Sequence, residues 1–280
     1  MPSTSDLLTL AFGASVLYVL YQARSFKKFL GAAGFRIELA LKVLRRLHHL
    51  PKRRRWFLDQ LFTSGIMNVH VVLLVGLFVG MIVSLQTGIE LASFGQQDRI
   101  GVIVAASMAR EMGPFITAVI LAATVGSALA AELGTMSVAD ELSALEVLSV
   151  DKVSFLVLPR VVALAVMAPF LTVLCDSIGI LGGGFVAGSQ LHVGWTLYID
   201  SAIQALRTTG EVIPLPKDVF SGLFKASVFG AIVAIISCSC GLRAKGGALG
   251  VGRATSHAVR DSIIAVIVAN YFLTWMIYQN

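Results

Sequence analysis

Charge is what this chain has least of. Only 14% of its 280 residues are Asp, Glu, Lys or Arg, while 56% are hydrophobic and the mean hydropathy is +0.83. A water-soluble domain carries about 25% charged residues and no long uncharged apolar runs, so a soluble globular fold is excluded. Cysteine is equally sparse. Cys175, Cys238 and Cys240 fall inside apolar runs, where a free thiol behaves as a small hydrophobe, and no disulfide framework is expected. The five His show no spacing with Cys or carboxylates that would suggest a metal site. No GxxxxGK[ST] phosphate loop occurs, so if ATP drives this protein, another chain binds it. No catalytic residue, resident cofactor or nucleic-acid partner is expected.

What remains is apolar and helical. Several runs reach the roughly 20 apolar residues that cross a hydrocarbon core of about 30 Å, with spans near 66–87, 101–130, 157–188, 219–240 and 262–279. The expectation is an all-α polytopic membrane protein with about five transmembrane helices. Short loops rich in Lys and Arg stay cytoplasmic. The most basic stretch, 24–55, is therefore placed inside, with the segment after the second span and the loop 241–261. The loops 88–100 and 190–217 and the C-terminus are then outside.

The N-terminal sixty residues divide in two. The run 7–23, LLTLAFGASVLYVLYQA, lacks the basic leader of a signal peptide; it is either an extra crossing or an interfacial helix. After it, Ile37, Leu41, Leu44 and Leu47 recur at helical spacing with Lys42, Arg45 and Arg46 opposite. Such a basic amphipathic helix either lies on an anionic leaflet or is an ordinary solvated juxtamembrane helix. The boundary drawn here is 1–60 for this segment and 61–280 for the transmembrane domain.

As one straight helix, residues 101–130 would be about 45 Å long, so something must tilt or break. Pro114 supplies the break, because it has no N–H to give the Arg110 carbonyl four residues back. Arg110 and Glu111 thus sit at a discontinuity. Ionisable residues at membrane depth suggest function; the alternative places both at the interface or in a subunit contact. Asp176 raises the same question in the third run. Small-residue stretches such as GSALAAELG and GILGGGFVAG let helix backbones approach closely in lipid.

The stretch AELGTMSVADELSALEVL (131–148) carries four acids and no Lys or Arg. Val138, Leu142, Leu145 and Leu148 share one helical face, with Asp140, Glu141 and Glu146 on the others. On the cytoplasmic side, such a helix suits docking into a groove of a soluble partner. A membrane-surface helix is disfavoured because the inner leaflet repels acids.

Three blocks carry a resemblance: REMGPFITAVILAATVGSALAAELGTMSVADELSALEVLSVD, PRVVALAVMAPFLTVLCDSIGILGGG and GGALGVGRATSHAVRDSI. In this order, from about residue 55 to the C-terminus, they resemble the MlaE-type (YrbE-like) permeases of ABC transporters that work with MCE proteins. The resemblance implies a homodimeric permease of five spans plus an N-terminal elbow helix. It also implies a bacterial inner membrane location, two copies of a cytoplasmic ATPase that binds the ATP, and periplasmic MCE subunits handling phospholipid or another lipid. The segment near 131–150 corresponds to the family's coupling helix, with Glu132, Met136, Asp140, Glu141, Leu142, Leu145 and Glu146 as ATPase-coupling residues. A lipid cavity at the dimer interface is expected to draw its walls from Leu85, Gln86 and Thr87 and from Arg110 and Glu111. The chain departs from the family pattern at Thr124, Lys152, Arg260, Asp261 and Asn270, which bears on intramembrane charge pairing. A secondary transporter or a non-transporting structural subunit are the other classes the residues allow.

Overall fold

The computed structural model describes residues 31, 33–48, 54–207 and 217–279. The run 7–23 lies outside them. All the regular structure among the described residues is helical, and five stretches are long and apolar enough to cross a membrane: Phe57–Ser93, Gln97–Val138, Val153–Gln190, Lys217–Leu242 and Gly247–Tyr278. The all-α polytopic expectation holds, but every span is longer than its apolar run.

A first helix, α1 (33–45), buries Leu39 and Val43 in the core and leaves Ile37, Leu41 and Leu44 exposed. Its outward face is the apolar one expected of an interfacial helix. Two ion pairs hold it down: Arg36 with Asp261, and Arg46 with Asp151 at 2.9 Å. Helix α2 (Arg54–Ser64) leads through a short 3-10 turn into α3 (Val69–Ser93). The domain boundary drawn at residue 60 therefore falls inside the first span rather than before it.

The second span is segmented. It runs through α4 (Ile100–Ser107), a π-turn (Met108–Met112), α5 (Gly113–Leu121), a second π-turn (Ala122–Gly126) and α6 (Ser127–Val138). A short α7 (Glu141–Val147) follows, and then α8 (Leu158–Gln190), entered by a third π-turn. Helix α9 (Trp195–Leu206) fills part of the expected outer loop 190–217. It had no counterpart in the hydropathy pattern, yet it buries Tyr198, whose hydroxyl donates to the Ile180 carbonyl at 2.9 Å. Helices α10 (Lys217–Leu242) and α11 (Gly247–Tyr278) complete the bundle. The loop expected over 241–261 is corrected here: α10 runs to Leu242, only 243–246 form a link, and the rest is the first half of α11. That half reads as loop because it is glycine-rich and polar, but it is helical where it packs along α6, with Val251 against Gly134.

Close backbone packing sets the core. Helix α3 turns Gly76, Gly80, Ser84 and Gly88 inward toward α8. A Cβ built on Gly80 would lie 1.9 Å from the Gly179 carbonyl oxygen, and Ser84 Oγ donates to the Gly183 carbonyl at 2.7 Å. Lipid gives no hydrophobic drive between helices, so contact of this kind and interhelical hydrogen bonds carry the packing. The opposite face of α3 exposes Leu74, Phe78, Ile82 and Ile89.

Candidate functional site

The break expected at Pro114 is present in a milder form. The chain widens into a π-turn, with the Gly113 N–H reaching back to the Met108 carbonyl. The carbonyl that Pro114 cannot serve, that of Arg110, instead accepts from Lys225 Nζ at 3.1 Å. π-turns inside helices recur at functional positions.

Around this turn lies a cluster of paired charges. Lys225 is fully buried and lies 2.6 Å from Glu111 Oε1, with a further hydrogen bond to Thr274 Oγ1 at 2.8 Å. Asn270 Nδ2 donates to the other Glu111 oxygen at 3.0 Å. Beside it, Arg110 Nε sits 2.7 Å from Oδ1 of the buried Asp218, and the guanidinium covers the Tyr278 ring at 5.5 Å. The Tyr278 hydroxyl lies 2.7 Å from Ser221 Oγ. Three elements therefore converge: the π-turn, the first turns of α10 and the last turns of α11. Lys225 is eight residues into α10, about 12 Å from its start, which puts the cluster in the half of the bundle nearer the start of α10. Each cation there has its own carboxylate, as low dielectric requires for the fully buried Lys225; Arg110 is half-exposed over the buried Asp218.

A surface hollow of ≈ 450 Å³ opens onto Arg110 and Glu111, walled by apolar residues such as Val102, Ile103 and Met112. It offers a charged floor within greasy walls. Leu85 and Gln86 are exposed and Thr87 half-buried on α3, and none of them lines this hollow. Within this chain, then, the two groups of expected lipid contacts form separate surfaces. Sequence reasoning missed Asp218, Lys225, Thr274 and Tyr278. The signal was available in Lys225, the one cation lying inside the fourth apolar run.

The acidic stretch is not one helix. Helix α6 carries the second span through to Val138, Asp140 then takes a positive φ of 58°, and α7 begins at Glu141. Leu142 is buried in the protein's own core, and Met136 and Leu145 pack against it. The apolar stripe read as a docking face is divided: Leu142 is buried, Leu145 packs against the core and Val138 is half-buried, while Leu148 faces outward. The outward apolar residues are Val147 and Leu148. Glu132 is tied internally to the buried Arg160 at 2.5 Å, and Glu146 to Lys152 at 2.6 Å, while Asp140 and Glu141 are exposed. Next to this elbow, burial raises the Asp151 pKa, but hydrogen bonds from the Ser154 hydroxyl and N–H and the nearby Arg46 outweigh it, leaving the carboxyl below its ordinary value.

The departures from the family pattern fall into this wiring. Lys152 pairs with Glu146, Asp261 with Arg36, and Asn270 donates to Glu111. Thr124 turns its hydroxyl onto the Ile120 carbonyl, 2.9 Å away, inside the second π-turn.

Five apolar helical spans packed around paired intramembrane charges describe a multi-pass membrane permease. Residues 57–276 match the family described as Permease MlaE, and the chain belongs to that family. It is similar to a probable ABC transporter permease protein of Synechocystis sp., 40% identical over 236 residues that cover 84% of this chain and 87% of that one. A probable ABC transporter permease protein of Rickettsia prowazekii is 38% identical over 220 residues, 79% of this chain and 82% of the relative. The chloroplastic protein TRIGALACTOSYLDIACYLGLYCEROL 1 of Arabidopsis thaliana is 37% identical over 223 residues, 80% of this chain and 61% of that one.

Proposed function

We propose that this chain is the non-catalytic, membrane-spanning subunit of an ATP-driven lipid transporter in a bacterial inner membrane. It works as a homodimer, with a separate cytoplasmic ABC ATPase docked at the α6–α7 elbow and a periplasmic MCE-domain protein exchanging phospholipid or a related lipid with it. The observation that carries the reading is the hollow at Arg110 and Glu111: apolar walls suit a tail, and an Arg fork beside a polar floor suits a phosphate. The name of the Arabidopsis relative, which is that of a diacylglycerol lipid, supports a lipid cargo. Docking at the elbow is assigned to Val147, Leu148, Asp140 and Glu141, the side chains of the acidic stretch that remain free to meet a partner.

The test is coexpression with an ABC ATPase and an MCE-domain protein encoded beside it, followed by reconstitution in proteoliposomes. The complex is expected to move fluorescent phospholipid between membrane and MCE protein only with ATP. Val147→Asp combined with Leu148→Asp is expected to release the ATPase while leaving the thermal stability of the permease unchanged. A complex that hydrolyses ATP but moves no lipid would reject the cargo, and no association with any ATPase would reject the coupling role.

A further inference from the structure

At the cytoplasmic ends of α10 and α11 lies a second hollow, of ≈ 510 Å³, unrelated to the Arg110 cluster. Its lining includes Arg36, Arg243, Lys245, Arg253 and Arg260, against one carboxylate, Asp261. That carboxylate is already taken by Arg36 and Arg260. Arg243 stacks over the Phe35 ring at 5.4 Å, and among the described residues no carboxylate pairs with Arg243, Lys245 or Arg253. Three elements build these walls: α1, the end of α10 with its short link, and the first half of α11.

Depth decides what such a hollow meets. Counting back from Tyr278, about 20 residues of α11 cross the hydrocarbon core, which puts its edge beside Arg260 and sets His257 and Arg253 at headgroup level. The interfacial helix α1 forms the neighbouring wall at the same level. On the same face of α11 the next exposed residues are apolar: Ile264, Ile267 or Val268, Tyr271 and Trp275, at steps of three and four. One helix face therefore offers cations followed directly by a greasy stripe about 17 Å long from Ile264 to Trp275.

We infer that this hollow binds the phosphate headgroup of an anionic phospholipid of the inner leaflet, with the acyl chain lying along the α11 stripe. Arg forks hold phosphate oxygens with two bonds, and the negative inner leaflet supplies the ligand. The site is separate from the proposed transport hollow and does not depend on what the permease carries. A soluble acidic partner would use the charges but not the apolar stripe, and a free phosphate would use neither stripe nor depth.

Purified protein in a neutral detergent is titrated with short-chain phosphatidylglycerol, with phosphatidylcholine of the same chain length and with inorganic phosphate. Phosphatidylglycerol is expected to bind at least tenfold better than the other two. Lys245→Ala with Arg253→Ala should weaken it roughly 30-fold, two cations each supplying about a fivefold effect near an anionic lipid. Both side chains are exposed and unpaired, so the thermal midpoint is expected to stay put. Ile264→Gln should weaken the lipid further while leaving phosphate unchanged, and Arg243→Gln provides an independent charge variant if the double variant misfolds. Equal binding of the two lipids, or an unaffected set of charge variants, overturns the assignment. Inorganic phosphate binding as tightly as phosphatidylglycerol makes this a free-anion site and also overturns it. So does unchanged lipid binding with loss of the copurifying ATPase, which would make the cluster a protein contact.

Discussion

At the end of the bundle where α10 begins, Arg110 and Lys225 each face a carboxylate within 2.7 Å, and Lys225, Glu111 and Asp218 are also hydrogen-bonded to Thr274, Asn270 and Tyr278 respectively. At the opposite end, five basic side chains line a hollow with one carboxylate, Asp261, which among the described residues pairs only with Arg36 and Arg260 and leaves Arg243, Lys245 and Arg253 without one. The charges of the first set are closed upon themselves around the buried Lys225 and Asp218, where an unpaired ion is costly. In the second set Arg243, Lys245 and Arg253 are exposed and left open. A paired set fixes the positions of the helices that carry it, whereas an unpaired one is available to something outside the protein.

Breaking the closed set should have the largest effect. Lys225→Met leaves Glu111 without its cation, and losing one member of a buried pair costs about 3–5 kcal/mol. The variant is expected to lose thermal stability in detergent, and adding Glu111→Gln should restore most of it. A destabilisation under 1 kcal/mol would mean that the cluster is solvated and the comparison false.

Arg110 is half-exposed while Asp218 is buried, so its change should tell more on transport than on folding. Arg110→Glu sets two carboxylates together and loses a charged hydrogen bond worth about 1.5–3 kcal/mol. Lipid transfer is expected to vanish while assembly with the ATPase persists. Arg110→Lys should keep part of the transfer, since it retains charge but not the two-pronged geometry. Normal transfer by Arg110→Glu would reduce the residue to an anchor.

At the opposite end of the bundle the effects are smaller. The Asp151 carboxyl is held below its usual range when folded. Its bonds to Ser154 and Arg46 therefore contribute fully at pH above about 4, the unfolded value, and are lost as pH falls through the lower folded one. Exposed pairs are worth at most about 1 kcal/mol. Asp151→Asn should therefore lower stability slightly at pH 7 and flatten its acid dependence, measured as thermal midpoint against pH; equal acid slopes in both proteins would show that other groups govern it. Smallest of all, Arg243→Gln and Lys245→Gln should shift stability by no more than about 0.5 kcal/mol, because neither charge serves a carboxylate; a larger loss would mean that the open set is in fact closed.

The sequence announced the spans because apolar runs of their length have no other solution in lipid, and it located the strained turn because Pro114 removes a specific hydrogen bond. Arg110 and Glu111 were visible for the same reason. Their partners were not. Asp218 sits at the first turn of α10 and reads as a span edge, while Asn270, Thr274 and Tyr278 share a face with Lys225 only once α10 and α11 are packed. Leu142 misled because periodicity identifies an apolar face without telling what covers it. Helix α9 escaped because twelve residues are too short for a span and are flanked by polar loop; its buried pair, Tyr198 and Ala202, is the trace it left.

The glycine seam of α3 also governs how this chain can change over generations. Where the Gly80 Cβ would strike the Gly179 carbonyl, even a single methyl cannot be admitted without moving a whole helix, whereas two positions away Phe78 and Ile82 face outward and could be exchanged for almost any apolar residue. A saturation library across 69–93 would therefore record a beat of four residues, silent at 76, 80, 84 and 88 and permissive between them. Tolerance, read that way, is a map of which helix face touches protein and which touches fat.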